Sequence, residues 1–163
     1  ATTHHFAPVS TDRVRKGLAE IPIGISAAAP IDRGIYAPAW TERTYAACLA
    51  QADGLLFEGR RVVVDGTFRE EHRRRAFLDL ASRWRVPALV LEARAPIDVV
   101  SRRLIQRRGD ASDADLKVYR TVAERWEAYA PATAARMRRI DTTRSDSGIH
   151  ADVRAALAEV GLA

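Results

Sequence analysis

Two hydrophobic patterns alternate along this chain. One is the short continuous apolar run, as in Val62-Val63-Val64 and Ala88-Leu89-Val90-Leu91. The first run is β-branched and stiff at χ1, which disfavours a helix, and a continuous run predicts a strand buried on both faces. The other is a stripe at helical spacing. Tyr45, Cys48 or Leu49, Ala52, and Leu55 or Leu56 mark the inner face of a helix from Thr41 to Glu58, with Gly59 placed to stop it. Ala76, Phe77, Leu80, Ala81 and Trp84 do the same for a helix over 68–84. Leu116, Tyr119, Val122 or Ala123, and Trp126 do so for one opening on the capping-box pair Ser112 and Asp115, with Pro131 ending or interrupting it.

Weaker signals complete the series. Phe6–Ser10 predicts a strand, at a sheet edge because of Pro8. Ser10, Thr11 or Asp12 caps a helix whose inner face holds Val14 and Leu18. Ile97–Arg108 predicts a helix with Pro96 at its start and Gly109 at its end. Arg138–Thr142 predicts a last strand and Ala151–Val160 a last helix. Residues 22–40 are irregular yet too apolar for a free linker, and read as a packed loop and a possible substrate flap. Tyr36 and Trp40 there are either hydrophobic plugs or a pocket wall.

Strands alternating with helices predict an α/β fold, a three-layer parallel sheet with helices on both faces, over one domain spanning 1–163. Such sheets bind ligands at the carboxyl ends of their strands. The Val62–Val64 run delivers Asp65 to that position, and Gly66-Thr67 turns the chain away.

Composition narrows the function. The 163 residues are 47% hydrophobic and 29% charged, an ordinary globular mixture. The net charge of +5 rests on arginine, since Lys16 and Lys117 are the two lysines. That bias admits phosphates, but no basic repeat or aromatic-interleaved patch supports nucleic-acid binding. One cysteine, Cys48, excludes an intrachain disulfide. The His4-His5 pair, His72 and His150 have no partners at metal-ligand spacing, and no nucleophile elbow occurs. Without a signal peptide or an apolar run of bilayer length, a cytoplasmic protein with no membrane contact is the expectation.

Taken in order, four stretches resemble the P-loop kinase-like ATPase family. They are Ser10-Thr11-Asp12-Arg13-Val14-Arg15-Lys16, Val62–Phe68, Leu89-Val90-Leu91-Glu92-Ala93, and the 103–115 segment, which is similar to the family's lid. The nearest branch is the small kinase domain often fused to aminoglycoside-phosphotransferase-like domains, similar to polynucleotide kinase and chloramphenicol phosphotransferase. The resemblance implies ATP and Mg²⁺ as cofactors. It makes Asp12 the base that takes a proton from an acceptor hydroxyl, where the residues alone equally allow a helix cap. It makes Asp65 the magnesium carboxylate, with Thr67 and Arg15 holding substrate. Arg107 becomes the catalytic phosphate clamp, with Arg103 and Arg108 as further nucleotide contacts. Together they would surround one bound triphosphate.

One departure is large. The family's Gly-x-x-x-x-Gly-Lys-Ser/Thr phosphate loop occurs nowhere in the 163 residues. The resemblance begins at the family's second strand, so a first strand, loop and helix are missing. Their absence is expected to leave strands with unpaired edges, completed by an N-terminal segment or a partner chain. The expected function is then an ATP-dependent phosphotransferase acting on a small-molecule hydroxyl, or less readily a nucleic-acid end, once the loop is supplied. The alternative is a non-catalytic α/β binding or assembly module derived from such a kinase.

Overall fold

In the computed structural model, residues 5–22, 34–108 and 113–163 are described. Most of the 22–40 loop, Gly109 and Ser112 therefore lie outside the described residues, as do the side chains of Arg107 and Arg108. The chain divides into two compact units, Ala1–Phe68 and Arg69–Ala163.

The first unit holds β1 (Ala7–Ser10), α1 (Thr11–Leu18), a 3₁₀ turn at Gly34–Tyr36, α2 (Pro38–Phe57) and β2 (Val62–Asp65). β1 and β2 are parallel, with Ala7 opposite Val62 and Ser10 opposite Asp65. β1 is an edge strand, as Pro8 predicts. α2 begins at Pro38 rather than Thr41, because Pro38 occupies its first turn. Thr44 does not cap it; its hydroxyl donates back to the Trp40 carbonyl at 2.8 Å. Gly59 ends it as expected: with φ at 72°, its N–H reaches the Leu56 carbonyl and that of Arg60 reaches Leu55.

The core of this unit is Ala7, Val9, Tyr45, Cys48 and Ala52. β2 is not buried on both faces. Val62 and Val64 are half-buried, while Val63 is 41% exposed and Asp65 exposed. Burial instead alternates along β2, with α2 packed on both strands of the pair.

The second unit holds α3 (Glu71–Arg83), β3 (Val90–Arg94), α4 (Ile97–Arg108), α5 (Asp113–Glu124), α6 (Pro131–Ala134), β4 (Met137–Asp141) and α7 (Asp146–Ala158). β3 and β4 are parallel from Val90 opposite Met137 to Arg94 opposite Asp141. Where the sequence predicts a strand over 87–92, β3 begins at Val90 and the ladder carries it two residues beyond Glu92. α3 starts three residues later than Phe68, because Phe68 adopts a left-handed φ of 49° that no helix can include. Its buried apolar residues are Leu78, Leu80 and Ala81, whereas Trp84 is 38% exposed. α7 starts five residues before Ala151, because the Ser145 hydroxyl accepts the Gly148 N–H and caps it.

α3 is also held by a buried arginine. The Arg74 guanidinium donates to Glu71, at 2.7 Å from Nε, and to the carbonyls of Arg69, Glu127 and Ala128 at 3.2, 2.8 and 3.1 Å. It lies over the Tyr129 and Trp126 rings, 4.5 and 5.6 Å from their centroids. This clasp fixes the chain that leaves α5. The α/β class with parallel strands holds, in two two-stranded ladders, so each strand has one edge without a ladder partner among the described residues. No helix among these residues is long and apolar enough to cross a membrane.

Candidate active site

The first candidate rim is the carboxyl end of β1 and β2. Parallel pairing puts Ser10 and Asp65 side by side, so both strands release their chains at one edge. Asp12 lies in the first turn of α1, immediately beyond Ser10, and Asp65 is the last residue of β2. Both carboxylates are exposed, as is Thr67. The parallel register thus brings Asp12 and Asp65 to the same rim. Lys16, four residues on, holds the Asp12 carboxylate at 2.9 Å. The sequence signal for that contact was present in the Asp–Lys spacing of one helical turn.

Arg15 has a different setting. It is 8% exposed, and its guanidinium donates to the Ile35 carbonyl at 2.6 Å and to the Thr41 hydroxyl at 3.2 Å. It also lies 5.0 Å from the centre of the Tyr36 ring. These contacts join α1 to the start of α2. Arg43 lies over Trp40 in the same way, at 4.7 Å. Cys48 is fully buried beneath, and burial pushes its thiol up to about 11 against the opposing charge of Arg15.

The turn after Asp65 is tightly held. A Cβ on Gly66 would lie 2.7 Å from Thr11 Cγ2 and 3.2 Å from the Tyr45 hydroxyl, so glycine is required by close approach. Phe68 donates its N–H to the Tyr45 hydroxyl at 3.0 Å. Sequence reading placed Tyr45 in the core and missed this polar contact, for which no local signal exists.

The second unit has its own rim at the carboxyl ends of β3 and β4. The Thr142 N–H and hydroxyl both donate to the Arg94 carbonyl at 2.9 Å. Arg103 reaches from α4 to Thr142, donating to its hydroxyl at 3.0 Å and to its carbonyl. Beside this bridge is an open cavity of about 620 Å³ whose walls include Val100, Leu104 and Tyr119, with Arg94, Arg103, Gln106 and Thr142 as polar groups. Asp141 accepts from the Thr143 N–H and hydroxyl, which hold its carboxyl below the usual range with help from Arg144 and Arg103. Arg107 and Arg108 occupy the last two positions of α4.

Among the described residues, no group of three or more His, Cys, Asp and Glu side chains could hold a metal. That is compatible with magnesium, which binds through one or two carboxylates together with substrate phosphates. Asp65 offers such an exposed hard oxygen. The phosphate cradle is different, since residues 1–163 contain no Gly-x-x-x-x-Gly-Lys-Ser/Thr sequence.

A family model described as an AAA domain matches residues 1–129. Uncharacterized proteins of Mycobacterium bovis and Mycobacterium tuberculosis are each 29% identical over 117 residues, covering 72% of this chain. The chain spans about a quarter (24%) of their length. Among solved structures, a gluconokinase from Sinorhizobium meliloti superposes with a TM-score of 0.60 at 18% identity, covering 98% of this chain and 81% of that one. The tunicamycin resistance protein of Deinococcus radiodurans does so at 0.51 and 15% identity, covering 98% and 84%. At such identities these likenesses speak for the fold. The resemblance read from the sequence is borne out: the chain belongs to the AAA domain family and carries a P-loop kinase-like fold.

Proposed function

We propose that the protein is an ATP-dependent phosphotransferase that phosphorylates a hydroxyl group, with a small molecule as the favoured acceptor. The observation that carries this reading is the pair Asp12 and Asp65 at one carboxyl rim, fixed by the pairing of Ser10 with Asp65. Asp12 accepts the proton of the acceptor hydroxyl as that oxygen bonds to the γ-phosphorus of ATP and the bond to the β-phosphate oxygen breaks, releasing ADP. Lys16 keeps the carboxylate oriented on its helix. Asp65 holds magnesium, and Thr67 beside it contacts the acceptor. Bound magnesium neutralises charge on the phosphates and aligns them for in-line transfer. By the family resemblance, Arg103, Arg107 and Arg108 are the candidate cations for phosphate binding. The glycine–lysine phosphate loop is not among residues 1–163.

The test uses the full-length protein, magnesium, ATP labelled in its γ-phosphoryl group, and a panel of sugars, aminoglycosides, nucleosides and 5′-hydroxyl oligonucleotides. Transfer to one acceptor class, lost by about 10²–10⁴-fold in Asp12→Asn, supports the reading. A full-length protein that neither binds nor turns over magnesium–ATP contradicts it, and leaves a non-catalytic module of the same fold.

A further inference from the structure

Resting on the phosphotransferase reading of Asp12 and Asp65, we propose that Tyr45 is a positioning residue whose buried hydroxyl sets the Asp65–Thr67 turn against the first turn of α1. Three separate features meet at this hydroxyl. It accepts the Phe68 N–H at 3.0 Å. Phe68 has a φ of 49°, uncommon for a bulky aromatic residue and maintained only where the surroundings hold it. The Tyr45 ring also packs edge-on against Phe68, at 5.3 Å between centroids and 76° between planes.

Gly66 is the third feature. Its backbone comes so close that an added Cβ would stand 3.2 Å from the Tyr45 hydroxyl and 2.7 Å from Thr11 Cγ2. Thr11 is the neighbour of Asp12, and Gly66 the neighbour of Asp65. The backbone next to Asp65 is therefore closed on from two sides, by Thr11 beside Asp12 and by the Tyr45 phenol. Tyr45 itself is 7% exposed, on a helix that neither carboxylate belongs to. Packing alone could be supplied by a phenylalanine ring of the same area. The hydroxyl adds a directional bond to the backbone of the turn, and displacements of about 1 Å can cost 10²-fold in rate.

The experiment replaces Tyr45 by Phe in the full-length protein and reads three quantities. Hydrogen exchange at the Phe68 amide is expected to quicken about tenfold, because its acceptor is gone. Turnover is expected to fall about tenfold, and the magnesium concentration for half-maximal activity to rise, with the KM for the acceptor within about twofold. Leu49→Ala on the same helix is the stability control: it lowers the unfolding midpoint and leaves the magnesium midpoint where it was. Wild-type turnover and magnesium dependence in Tyr45→Phe would overturn the positioning role, as would an unchanged Phe68 exchange rate. Asp65→Asn separates the two ideas. If it is inactive while Tyr45→Phe is normal, only the positioning role fails; if the wild-type protein itself shows no magnesium-dependent turnover, the phosphotransferase reading fails with it.

Discussion

Replacing Arg74 by Met should remove a large part of the stability of the second unit. The side chain is fully buried and donates to Glu71 and to the carbonyls at positions 69, 127 and 128. Methionine matches much of the stem volume but supplies no donor. The Glu71 carboxylate, 20% exposed, would keep the Thr133 hydroxyl and lose its cation. Breaking one side of a buried pair costs about 3–5 kcal/mol. That is a sizeable share of the roughly 5–15 kcal/mol that holds a domain folded. Urea unfolding followed by tryptophan fluorescence measures it, with Trp126 beside the arginine as a reporter. Arg74→Lys keeps charge but not the planar fork, so it should fall between wild type and Met. A loss below about 1 kcal/mol for Arg74→Met, with an unchanged denaturant slope, would refute the view that this arginine is a structural clasp.

Three further outcomes follow from the same contacts. Gly66→Ala should destabilise the first unit by about 1–3 kcal/mol, and Thr11→Ser, by deleting the methyl 2.7 Å away, should restore part of it in a thermal melt of the double variant. Burial alone would raise the Glu71 carboxyl, but bonds from Thr133 and Arg74 hold it below the ordinary value. A carboxyl depressed in the folded state adds stability above its unfolded pKa and loses it as pH falls through the folded one. Acid titration of unfolding should therefore show a loss below about pH 4.5 that is smaller in Glu71→Gln. Cys48, buried and raised to about 11, should resist thiol reagents at pH 8 until urea unfolds the protein; rapid labelling of the native protein would contradict its placement.

Local signals made much of the fold legible. Gly59 marked the end of α2, Pro8 marked β1 as an edge, and the Pro96-to-Gly109 interval gave α4 at its observed bounds. Asp65 was readable as a strand-end carboxylate because a β-branched run directly precedes it. What was not legible depends on distant partners. Nothing in the run Arg73-Arg74-Arg75 tells its members apart, yet the middle one is buried against carbonyls more than fifty residues away. Val63 reads as doubly buried, but burial depends on how many layers cover the sheet, which a strand's own sequence does not record. Arg15 reads as an anchor for substrate and is found bonded to Ile35 and Thr41, twenty and twenty-six residues on. Tyr45 fits an apolar stripe so well that its hydroxyl passes unnoticed.

The most direct test of the account is a double-mutant cycle on turnover in the full-length protein. Magnesium-dependent transfer from ATP would be measured for Asp12→Asn, Asp65→Asn and the double variant. If the two carboxylates at one rim serve a single transfer, each single variant loses about 10²-fold or more, and the double variant is scarcely slower than the worse single one. Full activity in either single variant would contradict it.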